Sequence, residues 1–172
     1  MLRRVISIIF IFIWSGELAA QPAGILPLRS LYHRSYGNKK AAQQLYDATR
    51  TVTTTPLHSG YRAIAAIMMC NHVFNPYTKL KYFNAGRREL DAAIVAAPSA
   101  PELRYLRFAV QCNAPALLGY NDAMEEDRTL IINWLTTKPV ADTNLHRLVY
   151  DYMSTCPGVP ESDKQRLKAM TR

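Results

Sequence analysis

The chain has 172 residues, enough for one domain with a real core and too few for two. With 49% hydrophobic and 20% charged residues, its composition is that of an ordinary globular protein. The formal charge of +8 is unevenly spread: residues 21–90 carry ten Lys/Arg against two acidic residues, residues 91–172 nine against ten. A basic half suits anionic glycans, lipid headgroups or acidic proteins.

The first twenty residues read as a secretory signal peptide, so the domain is expected to span 21–172. Arg3 and Arg4 supply a positive start, Val5 to Trp14 an apolar run, and Ser15 to Ala20 a small-residue cleavage site before Gln21. The run is short for a bilayer span, and no later stretch is long enough to cross one. The mature chain is therefore expected in the periplasm or outside the cell, without a transmembrane segment. Export argues against nucleic acid as the working partner and leaves a protein or peptide of the cell envelope.

Pro27 to Tyr36 predicts a short helix, broken at Gly37. Asn38 is a natural N-cap for Lys39 to Arg50, where Ala41, Leu45 and Ala48 share a face. Pro56 suits the first turn of the next helix, with Leu57, Tyr61, Ile64 and Met68 in helical register. Asn75 and Pro76 restart the chain as cap and first residue. Leu80, Phe83, Gly86, Leu90, Ala93, Ile94 and Ala97 then make one apolar stripe. Glycine inside that stripe costs about 1 kcal/mol of helix propensity, which predicts close approach of a neighbouring helix at Gly86.

Pro98 ends this helix, and Pro101 and Glu102 open another running to about Cys112. It is apolar nearly all round, apart from a stripe of Arg104, Arg107 and Gln111, and should be the central helix. Asn121 or Asp122 is expected to cap a helix through Leu135, with Asp122 and Glu125 at capping-box spacing. Asp142 caps the next, against which Trp134 should pack, and Pro160 opens the last. The expectation is an all-α domain of about seven helices, stacked as antiparallel hairpins.

Helix starts near Pro56, Pro101 and Asp142 recur every 40 to 45 residues, a period typical of helical solenoids. Ala92, Ala93, Ala97, Pro98, Glu102 and Tyr105 resemble the junction between successive tetratricopeptide repeats, over about one repeat. That resemblance implies a hairpin solenoid and a tendency to bind partners. The mature chain is also similar to small exported bacterial helical proteins with no assigned activity.

Candidate sites are few. The sequence has no phosphate loop, nucleophile elbow, zinc-ligand spacing or cofactor motif. Tyr61 and Arg62, then Arg104, Tyr105 and Arg107, then Arg147, recur near one register on the first helices of the hairpins. They suggest a basic and aromatic groove for a peptide or an acidic partner, closed at one end by Asn113 and Tyr120. The alternatives are a small enzyme assembled from Asp122, Glu125 and His146, or a structural part of an envelope assembly. Cys70, Cys112 and Cys156 occupy equivalent ends of the hairpins, which predicts spacings of roughly 10 Å or more. A disulfide needs Cα atoms within about 7 Å, so three buried thiols and no bridge are expected.

Overall fold

A computed structural model describes residues 24–50, 55–137 and 141–170. The proposed leader and its cleavage site lie outside these residues. Every regular element among the described residues is helical. The α-helices are α1 (Ile25–Ser35), α2 (Lys39–Thr49), α3 (Pro56–Met69), α4 (Pro76–Ala96), α5 (Pro101–Asn113), α6 (Met124–Thr136), α7 (Thr143–Thr155) and α8 (Glu161–Met170). Short 3-10 turns at Cys70–His72 and Ala116–Leu118 follow α3 and α5.

Local chemistry sets most of these boundaries. The Asn38 side chain accepts the Ala41 N–H, Asn75 accepts those of Tyr77 and Thr78, and Asp142 accepts that of Leu145. Proline stands in the first turn of α3, α4 and α5, where its missing N–H costs nothing. Gly37 turns the chain between α1 and α2 at φ +69°, a conformation that glycine adopts without steric penalty. The start of α6 departs from expectation. Its cap position is Ala123, with no side-chain cap, and Glu125, Glu126 and Asp127 occupy its first turn instead. Acidic side chains there still favour the positive helix end.

Each helix packs against the next in the chain, and α1 and α5 also reach α3, while α6 reaches α8. At Gly86 of α4, a Cβ would lie 2.6 Å from the Ala63 carbonyl oxygen and 2.6 Å from Ile67 Cγ1 of α3. The helices meet there backbone to backbone, as the lone glycine in the stripe implied. Helix α5 is the centre of the domain, burying Leu103, Leu106, Phe108, Ala109 and Val110 along with the polar Glu102, Arg104 and Gln111. Trp134 of α6 meets His146 of α7, with ring centroids 5.5 Å apart.

Candidate functional site

Three faces of α5 do three different things. The face carrying Glu102 looks toward α1, α3 and α7. Arg29 of α1 clasps Glu102 with Nε to Oε1 at 2.6 Å and Nη2 to Oε2 at 2.7 Å. The same Nη2 donates to Asp142 Oδ2 at 2.7 Å, and Tyr61 of α3 donates its hydroxyl to Glu102 Oε1 at 2.7 Å. One buried carboxylate thus ties three helices together, and the α7 cap is joined to them through Arg29. Hydrogen bonding to Glu102 raises the Arg29 pKa above its ordinary value, against the opposing effect of burial. Burial, then the Glu102 charge, pushes the Tyr61 hydroxyl far above the usual phenol range.

The Arg104 and Arg107 stripe faces α6. Arg104 donates Nη1 to Glu126 Oε1 at 2.7 Å and to Asp127 Oδ1 at 2.9 Å, while its Nε bonds the Pro98 carbonyl at 2.9 Å. Arg107 grips both oxygens of Asp127, at 2.7 and 2.8 Å, and reaches Asp91 at 3.3 Å. Asp127 is 0% exposed. Tyr120 donates to Asp91 at 2.8 Å and meets Phe83 edge-on at a centroid distance of 5.8 Å.

The predicted basic groove is therefore corrected. Arg62 is paired with Glu89 of α4, Arg104 and Arg107 with carboxylates of α6 and α4, and Arg147 lies exposed on α7. Guanidinium groups at helix interfaces need carboxylates because an uncompensated charge in a poorly solvated site is costly. Arg62, Arg104 and Arg107 hold helices together, facing different neighbours. The alternative catalytic set is not assembled either. The Glu125 side chain is 89% exposed at the start of α6, whereas His146 bonds the Leu135 carbonyl at its far end, about 15 Å along the helix. Among the described residues, no three His, Cys, Asp or Glu side chains form a metal-binding group.

The third face of α5 opens on a cleft of about 760 Å³. Tyr105, Ala109 and Asn113, four residues apart, form its α5 wall. Tyr32 and His33 come from α1, Ile64, Ile67 and Met68 from α3, Leu80 and Phe83 from α4, and Tyr152 from α7. The loop after α5 adds Pro115, Leu117 and Leu118, and Leu117 is 87% exposed. Tyr105 and Tyr152 meet edge-on at 5.4 Å, and Asn113 Nδ2 reaches the Tyr152 hydroxyl at 3.3 Å. Burial pushes the Tyr32 hydroxyl up to about 12 and lowers the His33 pKa. Among the described residues, Lys79 supplies the lining's one ammonium.

The chain matches no family model, no curated protein and no solved structure. Its own geometry is what speaks to function. Of the residues expected to bind, Tyr105 and Asn113 line the cleft, while Tyr61 and Tyr120 belong to the polar networks beside it. The cleft residues missed from sequence, such as Tyr32, Met68 and Phe83, followed ordinary core spacing. The available signal was Ala114 to Leu118, a loop too apolar to be a mere connection.

The expected wide spacing of the cysteines is overturned, although all three thiols are free. Cys112 and Cys156 bring their sulfurs to 3.3 Å, because the C-terminal ends of α5 and α7 converge. Cys70 stands apart, its sulfur 3.3 Å from the Lys79 carbonyl oxygen.

Proposed function

We propose that this chain is an exported, non-catalytic binding protein whose cleft holds a small amphipathic molecule with an apolar body and an anionic head. The observation carrying this reading is the cleft: about 760 Å³, within the range of small-molecule sites, with a mostly apolar and aromatic lining. Lys79 supplies positive charge for a head group, and Asn113 and the tyrosine hydroxyls supply directional hydrogen bonding. An anionic ligand was also the expectation from the basic half of the sequence, but the responsible cation is Lys79 rather than the paired arginines.

Export belongs to the same proposal and rests on the Arg3 to Ala20 pattern. So does the tetratricopeptide-like stacking, supported by the successive packing of α1 on α2, α3 on α4, α5 on α6 and α7 on α8. A solenoid leaves a cleft along its first helices, and α1, α3, α5 and α7 line this one together with the start of α4.

The test is titration of the full chain with a fluorescent fatty acid, such as dansyl-undecanoic acid, alongside its uncharged amide. Saturable binding is expected, stronger for the acid, and weakened at least tenfold by Leu117→Glu, an exposed and structurally tolerant position. Unsaturable binding, or binding indifferent to Leu117→Glu and Lys79→Glu, would refute the reading.

A further inference from the structure

We propose that Cys112 and Cys156 form a disulfide that crosslinks the ends of α5 and α7 and fixes the adjoining wall of the cleft. The Cys156 thiol hydrogen-bonds the Cys112 sulfur at 3.3 Å, so bonding needs the sulfurs to approach by about 1.3 Å. The surroundings keep room for the pair. Gly158 passes so close that a Cβ there would stand 2.7 Å from the Cys112 sulfur. Backbone bonds from Cys156 to Tyr152 at 2.9 Å, and from Val159 to Cys156 at 3.1 Å, hold the segment in place.

The crosslink adjoins the proposed site. Cys112 immediately precedes Asn113, and Cys156 lies one helical turn after Tyr152. Asn113 and Tyr152 bond each other across the cleft wall. A covalent link at their bases would hold that pair in register, whereas the reduced form relies on hydrogen bonds and packing. Cys70, on the opposite wall beside Lys79, is left as the single thiol.

The oxidant is a disulfide donor, as found in oxidising compartments. The Cys112 thiolate attacks the donor disulfide, forming a mixed disulfide and releasing one donor thiolate. The Cys156 thiolate then attacks the Cys112 sulfur, releasing the second. Two protein thiols are oxidised, the donor is reduced to two thiols, and the two thiol protons end on them. Cys112 is the partly exposed member of the pair and Cys156 the buried one, so Cys112 stays within reach of a donor longer as the fold closes. Burial, reinforced by Cys156, raises its pKa to about 12, which makes attack from the folded state slow and favours oxidation during folding.

The test refolds the reduced, denatured full chain in a mixture of reduced and oxidised glutathione, then traps thiols with maleimide and measures intact mass and peptide maps. The expected product carries one maleimide, on Cys70, and a crosslinked peptide joining Cys112 to Cys156. Dithiothreitol should restore three reactive thiols, and Cys112→Ser should leave two with no crosslink. Three trapped thiols under excess oxidised glutathione, a lasting glutathione adduct on Cys112, or a bridge through Cys70 would each overturn the assignment. None of these readouts depends on the ligand or on export.

Discussion

Arg29 of α1 and Glu102 of α5, 73 residues apart in sequence, meet in a buried two-point ion pair that also receives the Tyr61 hydroxyl. Burying a charge is tolerable only when it is paired and well hydrogen-bonded, and here Glu102 accepts three bonds while Arg29 donates four. Removing one member should therefore cost more than the pair itself contributes. Arg29→Met leaves Glu102 charged and buried with only Tyr61, and about 3–5 kcal/mol of stability should be lost. Chemical denaturation of the single variants and of Arg29→Met/Glu102→Gln checks this. The double variant should lose much less than the sum of the singles.

Asp127 holds Arg104 and Arg107 together, so the loss should be graded by position. Arg104→Ala leaves Asp127 with both hydrogen bonds from Arg107 and should cost about 1.5–3 kcal/mol, with ligand binding unchanged. Asp127→Asn strips buried Arg104 and partly buried Arg107 of their shared anion and should cost about 3–5 kcal/mol. The order of the two variants in urea melts is the check. A large loss of binding in Arg104→Ala without loss of stability would restore the groove that the geometry argues against.

Most helix boundaries were legible because they are local events. Asn38, Asn75, Asp142 and the three first-turn prolines each satisfy or omit an N–H within a few residues. The central role of α5 was legible for the same reason, as apolar residues cover all but one stripe of its surface. What that stripe meets was not legible. A row of arginines on a buried helix is compatible with solvent, ligand or carboxylates, and only the register between α5 and α6 selects Asp127. The convergence of Cys112 and Cys156 was hidden likewise. A repeat period places residues on equivalent turns, but the tilt of α7 against α5 sets the distance between their ends.

Gly86 gives a test of backbone contact between α3 and α4. On helix propensity alone, Gly86→Ala would stabilise α4 by about 1 kcal/mol. The new methyl would sit 2.6 Å from the Ala63 carbonyl oxygen, which a rigid helix backbone cannot withdraw. Forced overpacking typically costs about 1–3 kcal/mol, so the net effect should be destabilising, seen as a lower melting temperature. A variant that melts higher than the wild type would show that the two helices slide apart at little cost.

His33 should make stability depend on pH in a defined window. The ring is exposed on one side, and partial desolvation at the cleft lowers its pKa below the ordinary 6.5. The unfolded chain therefore takes up the proton first as pH falls, and the effect on stability is small. Its contribution is fully present above about pH 6.5 and is lost as pH falls through the lower, folded value. Asp142 acts in a separate window. Desolvation alone would raise its pKa, but hydrogen bonds from Arg29 and the Leu145 N–H, with the Arg29 charge, bring it below 3.8. The stability it confers is therefore lost only as pH falls below about 3.8 and through the folded value. Unfolding free energies at pH 8 and pH 5.5 should differ more for the wild type than for His33→Gln, with Asp142 contributing to neither difference. An anionic ligand head placed beside His33 would favour the protonated ring, and ligand and proton would then bind cooperatively. With the head group at Lys79 instead, NMR titration should show the His33 ring pKa unmoved when the fluorescent fatty acid is added. A rise would put the head group on the α1 side of the cleft, away from Lys79.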